Sequence, residues 1–401
     1  MVVAACGKEP VVAPRVIAGV PNDVFSQADR VYVRPTGGDA RADQIATNQI
    51  DLVRAGTDTK VIDDVDVHAW PEHAIVYGGP AINRALSEPL PLTIGDGRLQ
   101  LGGETFVGDD LRLVTLVPAQ PGRPAFVLYA ATTAGGLAEI NSLAHGGDPI
   151  LIADAFGTLV TGRWVARGDR VDAELGPRAR RIGWRTVTRT VGKMSVRVRF
   201  PDMLAIAADD EATIAACVAG VTQAVTKLAI DPSAPLDIYV YPDRRSELSL
   251  TNDQGDGHAV SAAHALHVLK NPPAAMTSLV AHEATHILAV DAFGLAGMAL
   301  MGEGLAVWVA GQYGGTALAD WRLDVVPPLG ALVGRAFRKL PEGVAYPYAG
   351  TFIAVAIERL GLTRVEHALL PLSPFGWDEA WAALAVEPAA LAAEVQRRLT
   401  K

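Results

Sequence analysis

Hydrophobic and polar positions divide the chain into stretches of different period. Between residues 28 and 165, short apolar runs are separated by clusters of turn-forming residues. Ala74–Tyr77 is one run, stopped by Gly78-Gly79-Pro80; 125–131 and 149–153 are two more. Runs of this length bounded by Gly and Pro read as buried strands. The segments 81–87 and 136–144 that follow the first two read as helical. Strands and helices in alternation predict an α/β domain with partly parallel strands. Farther on, 194–200 places Val196, Val198 and Phe200 between Ser195, Arg197 and Arg199, the period-two pattern of a half-buried strand. A helix is expected over 209–228, with acidic residues at its positive end, and a strand over Leu236–Tyr241. A further helix enters at Pro272-Pro273, runs to about Val290, and has Gly294 placed to end it. An apolar helix is expected to open at Glu303 and run to Ala310.

This pattern predicts four regions. Residues 1–27, with Pro10, Pro14 and Pro21 and little periodicity, read as a tether. Residues 28–165 form the small α/β domain, whose role the pattern does not specify. Residues 166–193, rich in arginine and glycine, read as a linker or exposed hairpin, and 194–401 as a second domain.

Composition narrows the function class. A chain of 401 residues, half of them hydrophobic, is long enough for two cores and is not generally disordered. A net charge of −9 without a basic block excludes nucleic acid as an expected partner. No apolar run reaches the roughly 18 residues that span a bilayer. Val3-Ala4-Ala5-Cys6-Gly7 looks like the end of a bacterial lipoprotein signal, with the upstream part of that signal missing. The expectation is a cell-envelope or secreted protein attached to the membrane through a lipidated Cys6. Cys217 lies in an apolar helical stretch and reads as inert core, so no disulfide framework is expected.

The candidate chemistry lies in His282-Glu283-Ala284-Thr285-His286. Residues four apart share one helix face, so His282 and His286 can aim two imidazoles at one Zn2+ ion, while Glu283 faces the reacting water. Ala289 and Ala292 stand where a metzincin would have glycine and histidine. Asp291 is too near the end of the same helix to reach back. Glu303, with Gly302 and Gly304 on either side, is the expected third ligand. Gly78-Gly79-Pro80 is read as a structural turn: it lacks the third glycine of a dinucleotide fingerprint, and Pro80 removes a donor.

With these residues the chain resembles the gluzincin metallopeptidases, the superfamily of thermolysin and aminopeptidase N, and within it bacterial peptidase MA-like proteins. The likeness rests on His282-Glu283-Ala284-Thr285-His286 and Glu303-Gly304-Leu305-Ala306 and covers about half of the chain, from Met194 to Arg398. It implies an α+β zincin-like domain, mainly helical around the site. It further implies one zinc ion on His282, His286 and Glu303, Glu283 as general base, and Tyr346 in preference to Tyr348 as the oxyanion donor. The stretch 257–269 resembles the edge strand that lines the cleft in this superfamily, where an extended peptide adds by main-chain bonds. Its His258, His264 and His267 are expected as surface or strand residues, not ligands. The spacing from His286 to Glu303 is shorter than in aminopeptidase N, and the Gly-Ala-Met-Glu-Asn signature is absent, so recognition of a free amino terminus is not implied. The expected function is zinc-dependent hydrolysis of peptide bonds in a peptide or protein. The alternatives are a cell-envelope binding or scaffold protein with a metal-retaining, catalytically weak peptidase-like domain, or a hydrolase of a non-peptide amide.

Overall fold

The computed structural model describes residues 14–133, 135–145, 147–202, 210–253, 255–384 and 386–401. Cys6 lies outside the described residues.

The apolar runs of the N-terminal half gather into a nine-stranded mixed sheet. Its central strands, Arg112–Val117, Phe126–Ala131 and Ala74–Tyr77, are buried along almost their whole length. Ala74–Tyr77 pairs in parallel with Phe126–Ala131 and with Val31–Arg34, which in turn pairs in parallel with Lys60–Asp63. The helix Ala40–Arg54 connects those last two strands, as a parallel pair requires. A three-stranded meander, Leu92–Gly95, Arg98–Leu101 and Glu104–Val107, forms a separate small sheet.

Several expectations need correction here. The segment 81–87 contains only a 3-10 turn, Arg84–Leu86. Asn83 accounts for this: its amide accepts from Ala85 N at 3.1 Å and donates to Tyr77 O at 2.9 Å, a local alternative to helix bonding. The segment 136–144 likewise breaks into the 3-10 turns Gly135–Leu137 and Ile140–Ser142. Residues 14–27 are packed, not a free tether. Arg15–Val16 pairs with Gly157–Arg167, and Val24 of the helix Pro21–Phe25 is buried. The stretch 166–193, expected as a linker or hairpin, contains hairpin strands and not a linker alone: Arg170–Leu175 completes a hairpin on the first sheet, and Trp184–Val191 opens the second.

The second sheet has five strands in the order Trp184–Val191, Met194–Pro201, Leu236–Tyr241, Ala265–Leu269, Gly257–Val260. The three central strands are parallel and the two outer ones antiparallel. Gly257–Val260 is therefore an edge strand. Helices pack on this sheet around one apolar core that includes Val196, Val198, Ile238, Val280 and Ile287. Cys217 is part of this core, where burial pushes its thiol up to about 12.

The helix Asp210–Leu228 crosses the motif helix Pro273–Phe293 at Gly220. A Cβ there would lie 2.5 Å from Thr277 O and 2.8 Å from Val280 Cβ. Helix propensity alone favours replacing this glycine, by at most about 1 kcal/mol. Forcing two helices apart typically costs about 1–3 kcal/mol, and here the obstacle is backbone. Gly220→Val is therefore expected to be destabilising, with a lower urea midpoint and an unchanged slope.

The two halves meet at the end of the motif helix. Arg41 donates to Val290 O at 2.7 Å and Asp291 O at 3.0 Å, capping the terminal carbonyls. Gln44 and Asn48 both donate to Leu295 O. Asp291 faces this junction, 3.2 Å from Arg41 Nη2 and 3.2 Å from His264 Nε2. The hydrogen bond to Asp291 raises the pKa of His264, against the opposing effect of burial. The sign follows: stability from the pair is fully present below the ordinary histidine pKa of about 6.5 and is lost as pH rises through the raised folded value. His264→Asn, chosen because His264 has a φ of 47° and Asn tolerates it, should flatten that decline by about 0.2–1 kcal/mol. Urea unfolding at pH 6 and at pH 8.5 checks the slope, which a constant change in stability leaves unmoved.

Candidate metal centre

Two helices supply the candidate ligands. Pro273 starts the motif helix and Gly294, at φ 90°, ends it. The helix is apolar on nearly every side because it is buried on nearly every side. Its polar residues His282, Glu283 and His286 turn toward a cleft. The partner helix is Ala299–Ala310. It begins a full turn earlier than expected, since buried Leu300 and Met301 extend it, so Glu303 stands in the second turn and not at the helix start. Gly304 lets this helix close on Glu342–Leu360: a Cβ at 304 would lie 2.7 Å from Ala349 O.

The three ligand atoms form a nearly equilateral triangle. His282 Nε2 and His286 Nε2 are 3.3 Å apart, and each is 3.4 Å from Glu303 Oε2. Ligands held about 2.0–2.1 Å from a tetrahedral zinc are separated by about 3.3–3.4 Å. The donor set is thus already spaced for one small ion.

Electrostatics agree with that spacing. Burial opposes charge on Glu303, yet the two imidazoles outweigh it and hold the carboxyl well below its ordinary value. Burial likewise opposes charge on His286, and Glu303 overrides it, pushing the imidazole up to about 9. A divalent cation at this spot would take the place of the proton on His286. Glu283 does not belong to the triangle. Burial raises its pKa, the two imidazoles pull it down, and Glu303 and Asp253 raise it further.

The outer partners escaped the sequence reading. Arg338 donates to Glu303 Oε1 at 2.7 Å and to the Tyr346 hydroxyl at 3.1 Å. It stands in the 3-10 segment Gly334–Lys339, where the only signal is a cluster of Arg335, Arg338 and Lys339 ahead of the next helix. Tyr346 stacks on Tyr313 at 4.9 Å and its ring lies 6.3 Å from that of His282. Burial and the Glu303 carboxylate push its phenol up to about 12, so it stays protonated. Tyr348 is only 1% exposed, in the apolar core, away from the cleft.

The cleft has a volume of about 690 Å³ and draws its walls from both halves of the chain. Glu139, from the N-terminal half, accepts from Ser261 N through both carboxylate oxygens, at 2.7 and 2.9 Å. Gly257 allows the edge strand to lie against the motif helix, since a Cβ there would come within 3.3 Å of Glu283 Cγ. His258 lines the cleft, whereas His267, on the adjacent interior strand, is fully buried.

No protein-family model matches the chain, and no curated protein does. Among solved structures it is similar to a mutant of a two-domain M1 zinc metallopeptidase bound to L-arginine, at 15% identity and a TM-score of 0.32, over 58% of this chain and 54% of that one. It is similar to the M1 zinc metallopeptidase of Deinococcus radiodurans at 16% identity and a TM-score of 0.31, over 57% and 53%. An aminopeptidase N family protein from Idiomarina loihiensis follows at 10% identity and a TM-score of 0.30, over 70% and 48%. The chain spans about half the length of these solved structures.

Proposed function

We propose that residues 194–401 form a zincin-like metallopeptidase domain that holds one Zn2+ through His282, His286 and Glu303 and hydrolyses peptide bonds. The observation that carries this reading is the triangle of 3.3–3.4 Å edges. When bound there, zinc supplies Lewis acidity toward a carbonyl and lowers the pKa of water toward about 7. Glu283, beside the triangle and raised by burial, takes the proton of the attacking water on a carboxylate oxygen and returns it to the leaving amine. The Tyr346 hydroxyl accepts from Arg338, which leaves its own O–H free to donate to the oxygen that gains charge. The edge strand Gly257–Val260 offers main-chain groups along which an extended peptide or protein segment adds. The glycine at 257 keeps that strand close to Glu283. Attachment at the cell envelope through a lipidated Cys6 belongs to the same proposal.

The test is incubation of the full chain with a mixture of unstructured peptides, followed by mass spectrometry of the products. Cleavage should stop with a chelator and return with added Zn2+. A fully zinc-loaded protein that cleaves no peptide in the mixture would favour a metal-retaining binding protein instead.

A further inference from the structure

A second group of metal-type ligands borders the same cleft, which Asp253 and His258 help to line. Glu247 lies on the helix Arg244–Thr251, Asp253 in the turn after it, and His258 on the edge strand. One ligand atom from each falls within 4.8 Å of the others. His258 Nδ1 is 3.7 Å from Glu247 Oε1 and 3.7 Å from Asp253 Oδ1, too long for a hydrogen bond in either direction.

Glu247 has no exposed surface, and neither of its carboxylate oxygens has a hydrogen-bond partner among the described residues. His258 Nδ1 is buried and unpartnered as well. Buried carboxylates are normally hydrogen-bonded, ion-paired or bound to metal.

We propose that Glu247, Asp253 and His258 form a second divalent-cation site, which ties the end of the Arg244–Thr251 helix to the edge strand of the cleft. An imidazole beside two carboxylates selects a zinc-like ion over calcium, which takes oxygen ligands. The ligands are already oriented. The ring of His258 lies parallel to that of His267, with centroids 4.6 Å apart, and His267 Nδ1 is 2.7 Å from the Tyr241 hydroxyl. Asp253 Oδ1 accepts from Gly255 N at 2.7 Å, and Asp253 N donates to Thr251 Oγ1 at 3.1 Å. Such outer contacts fix ligand geometry around an ion.

The experiment is zinc analysis of the full chain after loading with Zn2+ and dialysis against metal-free buffer. The expected result is two ions per chain in the wild type, and one each in Glu247→Gln, Asp253→Asn and His286→Ala. If Glu247→Gln fails to fold, Asp253→Asn gives the same reading, since its side chain is 42% exposed. One ion in the wild type that Asp253→Asn keeps and His286→Ala loses would overturn the second site and leave the first intact. One ion that His286→Ala keeps and Asp253→Asn loses would support the second site and sink the first. No ion in the wild type would overturn both.

Discussion

Glu283→Gln is expected to keep its metal ion and to lose about 10²- to 10⁴-fold in kcat, the range that a positioned general acid–base contributes. The two halves of that outcome have separate causes. The zinc-spaced triangle is made of His282, His286 and Glu303, and Glu283 is not a corner of it. Gln is close in size and shape to Glu, so the 7% exposed side chain remains packed as before. The amide cannot accept a proton at neutral pH, whereas the carboxylate it replaces can. The measurement is kcat at saturating peptide together with zinc per chain. A variant that turns over at the wild-type rate would remove Glu283 from the chemistry. One that loses zinc along with activity would mean that Glu283 helps to hold the ion.

The motif helix could be read from the sequence because everything that defines it is local. Two histidines four apart need only helical geometry to converge, and Pro272-Pro273 and Gly294 mark the ends within the same stretch. Glu303 was legible as a candidate ligand from its neighbouring glycines, although its helix starts earlier than expected. Met298, Leu300 and Met301 are buried by tertiary packing, which a local pattern does not report. Tyr346 was distinguishable from Tyr348 only by a count along the helix; the structure separates them by placing one in the cleft and the other in the core. Arg338 and Glu139 were invisible for a different reason. Each meets the site from an element far away in sequence, and neither sits in a motif. The error at 81–87 has a local side-chain cause, since Asn83 accepts from Ala85 N, whereas Asn141 in 136–144 is bonded to Gln49 O and the Tyr77 hydroxyl, partners from elsewhere in the fold that a local pattern does not report. His267 shows the limit most plainly. The resemblance placed it on the edge strand of the cleft, whereas it stands on the adjacent interior strand, where it is fully buried.

The ligand set itself is tested by Glu303→Ala, which should remove the zinc ion of this centre and with it all chelator-sensitive hydrolysis. Its size can be bounded from the outer partner. Removing a group that orients a ligand typically costs about 10–100-fold in metal affinity, and Arg338→Met, which leaves Glu303 without its 2.7 Å contact, belongs in that range. Deleting the carboxylate removes both the third corner and the negative charge that offsets the ion, so the loss should exceed that of Arg338→Met by a clear margin. Stability should suffer less than affinity. The side chain of Arg338 is 62% exposed and can return to water once its partner is gone, while the His286 imidazole loses the carboxylate that raises its pKa. Competition against a chromophoric chelator ranks the three proteins directly. If Glu303→Ala bound zinc as tightly as Arg338→Met, another group would have to complete the coordination, and the two-helix clasp would be the wrong description of the centre.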